Sequence, residues 1–182
     1  MASYSACGRH GTRERTCAFP LAEAVNESLQ HRSRGLCPAV KIFTIGYEKA
    51  TQAELIATLA AAGVERLIDV RAVPLSRRPG FSKNILARGL AEHGIDYVHL
   101  KALGTPPEGR EAARKGKQDV LERVYAGQLE LPEAMMQSAQ MLALAEERPS
   151  ALLCFEREPG GCHRSLLLRW ATPETEVIDL FV

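Results

Sequence analysis

The sequence predicts an α/β fold: a single three-layer domain in which a mostly parallel sheet of about five strands is covered by helices on both faces. Three observations predict it. Short β-branched and apolar runs alternate with stretches of helical period in the order βαβαβααβαβ, the alternation that builds parallel sheets. Two of the runs, 150–155 and, apart from Glu65 and Arg66, 64–70, are largely apolar, as strands buried on both faces are. A chain of 182 residues has room for one such domain and its core.

Residues 41–47 (Lys-Ile-Phe-Thr-Ile-Gly-Tyr) are β-branched and aromatic and read as the first strand. Thr51 followed by Glu54 is a capping box that starts a helix. Leu55, Ile56, Leu59 and Ala62 give that helix its apolar face, and Gly63 ends it. Residues 64–70 form the second strand, 71–80 a polar loop with Pro74 and Pro79, 83–93 a helix ending at Gly94, and 95–100 the third strand. The pattern breaks over 103–109, which contains Pro106 and Pro107. Residues 110–126 read as one charged, exposed helix. Residues 132–147 read as an amphipathic helix presenting Met135, Met136, Ala139, Leu142 and Leu144. The fourth strand spans 150–155, the last helix 162–171 and a terminal strand 177–182. Crossovers between the parallel strands are right-handed by rule.

This domain is expected to occupy 41–182. Residues 1–40 lack a sustained period and are expected to be disordered or loosely docked. Cys7, Cys17 and Cys37 are too far apart for a zinc knuckle. An odd total of five cysteines argues against a disulfide framework, and free thiols suit a cytoplasmic protein. No apolar stretch reaches the roughly 20 residues of a membrane span, so no membrane partner is expected. Net charge is +1, with five Lys/Arg against three Asp/Glu in residues 1–40 and an acidic balance beyond them, so any basic patch must be local.

Parallel strands bring all their carboxyl ends to one edge, where open α/β sheets hold their ligands. Read there, the ends are Gly46-Tyr47, Asp69-Val70-Arg71, His99-Leu100 and Cys154-Phe155-Glu156. The last runs through Pro159-Gly160-Gly161 into Cys162-His163-Arg164 at a helix start. A helix N-terminus favours anions, and an arginine fork matches phosphate or carboxylate. Arg71, Arg77 and Arg164 are therefore candidate anion ligands, with Asp69, Tyr47 and Tyr97 beside them. Against this, Arg77 can be a solvated loop residue and Arg71 can pair with Asp69. Glu156 is the candidate general acid or base, because partial burial raises a carboxyl pKa. His99 is a candidate proton shuttle or a satisfied inner histidine. Cys162 sits where a helix N-terminus and an arginine favour a thiolate, or it is a small hydrophobe closing a turn. His163 is counted with it at the site but is not expected to be its direct base, because helix neighbours do not face each other. Cys154 reads as core packing. A metal held by Cys154, Cys162 and His163 is conceivable, but the spacing is not a usual zinc signature. No metal and no cofactor are assigned. Glycine-rich nucleotide loops and hydrolase elbows are absent from the sequence.

Taken together, Thr44-Ile45-Gly46-Tyr47, Asp69-Val70-Arg71 with Pro74, Ser76-Arg77 and Pro79-Gly80-Phe81-Ser82, Tyr97 with His99-Leu100 and Leu103-Gly104, and Cys154-x-Glu156 with Cys162-His163-Arg164 resemble the domain-of-unknown-function family numbered 488. The resemblance runs from about residue 41 to 170. It implies a compact, soluble α/β domain and no established reaction. Gly104 is followed by Thr105 where many relatives have a second glycine.

Three functions compete at this level. One is an enzyme acting on a small anionic, phosphorylated or nucleotide-like molecule. The second is a nucleic-acid-binding or processing module using Arg77, Arg78, Lys83 and the run Arg114-Lys115-Gly116-Lys117, which the near-neutral charge disfavours. The third is a ligand-sensing domain without catalysis. The sequence does not speak to oligomeric state.

Overall fold

The computed structural model describes residues 41–173 and 175–182, so the expectation for 1–40 lies outside the described residues. Five strands, β1 (Lys41–Gly46), β2 (Arg66–Asp69), β3 (Asp96–His99), β4 (Ser150–Cys154) and β5 (Glu176–Leu180), form one sheet in the order β3-β2-β4-β1-β5. Every pairing is parallel. The described residues also form six α-helices: α1 (Gln52–Ala61), α2 (Lys83–Ala91), α3 (Pro107–Arg114), α4 (Gln118–Leu129), α5 (Pro132–Glu147) and α6 (His163–Ala171). A 3-10 turn, Lys101–Leu103, follows β3. Among the described residues, no helix is long and apolar enough to cross a membrane.

Alternate strand residues feed two apolar layers, as the pleat requires. On one face Ile45, Leu67, Ala151 and Leu153 pack under Leu55 and Leu59 of α1 and Leu86 and Leu90 of α2. On the other, Ile42, Ile68 and Leu152 meet Tyr125 and Leu129 of α4, Met141 of α5 and Leu167 of α6. The capping box at α1 is formed: the Thr51 side chain accepts from the Glu54 amide, and Glu54 accepts from the Thr51 amide.

Two expectations are corrected. The predicted helix over 110–126 is two helices, α3 and α4, separated at Gly116, which takes φ +66°. A residue without Cβ adopts that left-handed conformation at little cost and so ends α3. Pro107, expected within a break, starts α3, where its fixed φ suits the first turn. The second correction concerns α5. It buries Ala134, Ser138, Met141 and Ala145 and leaves Met135 and Met136 exposed. Small residues at three of those four positions let the helix sit close to its neighbours, so the size of methionine misled the choice of face.

The end of β1 passes directly beneath the chain leaving β4. A Cβ added at Gly46 would lie 1.9 Å from the Glu156 carbonyl oxygen. Gly127, exposed in α4, would meet nothing within 4 Å. Gly46→Ala should therefore lower stability by about 2–3 kcal/mol through overpacking, while Gly127→Ala should raise it by about 0.5–1 kcal/mol through helix propensity. Denaturant unfolding of the two variants checks both signs.

Candidate functional site

The exit of β2 is built around a buried ion pair. Asp69 is fully buried and Arg71 nearly so. Arg71 Nε and Nη2 donate to the two Asp69 carboxylate oxygens at 2.8 and 2.6 Å, a bidentate fork. Arg71 Nη1 donates to the Tyr47 hydroxyl at 2.9 Å and the Phe81 carbonyl at 3.0 Å. The Tyr97 hydroxyl donates to Asp69 Oδ2 at 2.5 Å, and His99 Nε2 donates to the Arg71 carbonyl at 2.8 Å. Burial works against the Arg71 charge, but Asp69 outweighs it and holds the guanidinium protonated beyond its ordinary range. Burial and then the Asp69 carboxylate push the Tyr97 hydroxyl up, so it stays a donor. Tyr47 stacks on Phe81 at 4.3 Å between ring centroids and meets Phe155 edge-on.

Beside this pair lies the second group. Cys154 ends β4, Glu156 follows on the loop, Cys162 caps α6 and His163 opens it. One ligand-type atom from each falls within 4.8 Å of the other three. Glu156 Oε2 lies 2.7 Å from Cys154 Sγ and 3.4 Å from Cys162 Sγ. His163 Nδ1 lies 3.4 Å from Cys154 Sγ and 3.7 Å from Cys162 Sγ. His163 Nε2 donates to the Val70 carbonyl at 3.1 Å, which can only accept. Tyr125, anchored by its hydroxyl to the Leu103 carbonyl, lies edge-on to the His163 ring.

The environment separates the four titrations. Burial, then the neighbouring Cys162, pushes the Cys154 thiol well up. Burial acts the same way on Cys162, but hydrogen bonds from Cys154 and His163 and the charges of His163 and Arg164 outweigh it and hold that thiol well down. Burial, then the Cys162 charge, raises the Glu156 carboxyl. Burial opposes the His163 charge, but Cys162 and Glu156 outweigh it and raise the imidazole. Such a set can bind a metal, present one thiolate as a nucleophile, or exchange protons through Glu156.

Two cavities flank this cluster. One, of about 300 Å³, is lined by residues including Tyr47, Arg71, Ala72 and Cys154. The other, of about 440 Å³, is lined by residues including Glu48, Arg114, Gly161 and Cys162. Both share Thr105, Arg110, Phe155, Glu156 and His163.

Several expected roles meet different surroundings. Arg164 is fully buried and lines neither cavity. Its Nη2 donates to the Glu156 carbonyl at 2.7 Å and its Nε to Cys162 Sγ at 3.4 Å, so it holds the loop and the thiol from behind. Lying in the first turn of a helix did not aim it at solvent, because the loop folds back over it. Arg77 is exposed and lines neither cavity, and His99 and Tyr97 face the Asp69–Arg71 pair. His163 does approach Cys162, contrary to the helix-neighbour argument, because Cys162 is extended (φ −108°, ψ 149°) and lies outside the helix. Cys154, read as core, belongs to the cluster. Arg110 was missed. It is half-buried in α3, and among the described residues its side chain has no hydrogen-bond or ion-pair partner. The only signal for it was its place just after the Pro106-Pro107 break.

The protein is thus an α/β domain with a crevice at the carboxyl ends of its parallel strands, floored by two thiols, a carboxyl and an imidazole. The family profile described as "Domain of unknown function DUF488" matches residues 51–171, and the chain belongs to that family. No curated protein and no solved structure matches it.

The buried pair sets up an unequal response to two acid-to-alanine changes. Asp69→Ala strands Arg71 without its partner and should cost about 3–5 kcal/mol. Glu111→Ala removes only the exposed pair with Lys115 and should change stability by less than about 0.5 kcal/mol. Thermal or urea unfolding separates the two.

Proposed function

We propose that this protein is an enzyme acting on a small anionic molecule, phosphorylated or nucleotide-like, that enters the crevice at the strand ends. The observation that supports this reading is Arg110. Its guanidinium has no partner among the described residues and lines both cavities beside the cluster. A fork of five N–H donors left unpaired at a half-buried position suits phosphate or carboxylate oxygens. The Thr105 hydroxyl stands in the same wall, and Arg71 keeps one Nη2 N–H beyond those bound to Asp69, Tyr47 and Phe81.

In this reading Arg110 meets the anion and the Asp69–Arg71 pair stiffens the floor. Glu156 moves protons, because burial and the Cys162 charge raise its carboxyl toward the range where an acid and base both function. Without a metal bound, Cys162, with His163 against its sulfur, is the nucleophile within reach.

Inorganic phosphate and nucleoside monophosphates serve as probes, with binding followed by calorimetry. Arg110→Ala should weaken binding by about 10–100-fold, the value of a charge-assisted hydrogen bond to an anion. Arg77→Ala should leave it unchanged. Affinity should fall only gently with salt, unlike a polynucleotide contact. Equal binding by wild type and Arg110→Ala overturns the assignment.

A further inference from the structure

We infer that Cys154, Glu156, Cys162 and His163 form a binding site for a divalent transition-metal ion, with zinc the best match. Zn–S distances of about 2.3 Å and Zn–N or Zn–O distances of about 2.0–2.2 Å at tetrahedral angles put a sulfur about 3.5 Å from a nitrogen or oxygen ligand. Three of the four such separations are 3.4, 3.4 and 3.7 Å. The fourth, Cys154 Sγ to Glu156 Oε2 at 2.7 Å, has to open by about 0.8 Å to match the same geometry. That carboxylate is on a loop and is the least buried of the four donors.

The surroundings are those of a metal site as well. The Val70 carbonyl accepts the Nε2 proton of His163, which leaves the Nδ1 lone pair of the neutral ring directed at the other three donors. Arg164 Nε donates to Cys162 Sγ from behind, the contact an outer partner makes to a ligating thiolate. Two thiolates and a carboxylate carry three negative charges. A divalent ion and the buried Arg164 guanidinium cancel them, which makes the site neutral in a place where uncompensated charge is expensive. Thiolate and imidazole donors select zinc over magnesium or calcium. Binding releases to solvent the protons that the four donors still hold.

Cys154, Cys162 and His163 are buried and fixed by β4 and α6, whereas Glu156 is half-buried and lines both cavities. Three fixed ligands and one on a loop at the cavity wall give an ion whose fourth position can be exchanged, the arrangement of a catalytic zinc and not of a closed structural one. An ion there also makes the crevice floor electropositive, and this last point rests on the anion reading above.

The test uses the full chain, reduced and freed of metal with a chelator, then titrated with Co²⁺ and Zn²⁺. One equivalent of cobalt should bind, with thiolate-to-metal charge-transfer absorption and the ligand-field bands of a tetrahedral ion, and zinc should displace it. Replacing Cys7, Cys17 and Cys37 together by serine should leave stoichiometry and spectrum unchanged. Cys162→Ser, with circular dichroism to verify folding, should weaken zinc binding by more than about 100-fold, since even loss of an outer partner costs 10–100-fold. Glu156→Gln should keep the charge-transfer band and bind more weakly. No stoichiometric cobalt, a spectrum without thiolate bands, or a signal lost with Cys7, Cys17 and Cys37 overturns the inference. Phosphate binding that vanishes in Arg110→Ala while zinc binding persists, or the reverse, tells failure of one reading from failure of the other.

Discussion

The bidentate contact between Asp69 and Arg71 holds the carboxyl edge of the sheet together. It is a short-range contact in sequence, yet through it three other segments are tied to the exit of β2. Tyr97 brings in the end of β3, Tyr47 the end of β1, and the Phe81 carbonyl the approach to α2. The main chain of the same few residues carries two more loads: the Arg71 carbonyl receives His99 and the Val70 carbonyl receives His163. A buried ion pair adds little net stability compared with apolar residues of the same shape. Its contribution here is geometric. Its donors and acceptors are shared among the ends of β1 and β3 and the approach to α2, which ties these segments to one arrangement.

The second constraint is the close passage at Gly46. With the Glu156 carbonyl against its Cα, the chain leaving β4 lies flat on the end of β1 before turning into α6. Arg164 then clamps that chain from inside through the Glu156 carbonyl. Glu156 is thus attached to a backbone gripped from two sides, although its carboxyl is on a loop. Such support is what a site needs if its reactive groups are to hold their separation.

Much of this was legible in the sequence. Apolar runs alternating with helical periods identified a parallel sheet, and parallel strands place their ends together, so Tyr47, Asp69, Arg71, Cys154 and Glu156 could be assigned to one edge without coordinates. What could not be read is side-chain direction where the backbone is irregular. Arg164 looked available because it lies in the first turn of a helix, but the preceding loop folds over it. Cys162 and His163 looked divergent because helical geometry was applied one residue too early. Arg110 was hidden because Gly116 divides what reads as one exposed helix, and the first half turns toward the crevice. The four-donor cluster escaped a spacing rule made for tight knuckles, since here the donors come from a strand end, a loop and a helix start.

The strand order has a bearing on how the chain reaches this state. β1 pairs with neither β2 nor β3; its partners are β4 and β5, so that Ile42 is paired with Ser150 and Val177. During synthesis the first strand of the domain therefore emerges without a partner, and β2 and β3 can zip together while it waits. Contacts this distant carry a large loop-closure cost before they repay it, which slows folding. The crevice is completed by the same late event, because Tyr47 and Gly46 reach the ends of β2 and β4 only when β1 docks. Closure of the sheet and completion of the crevice wall by Tyr47 are one step.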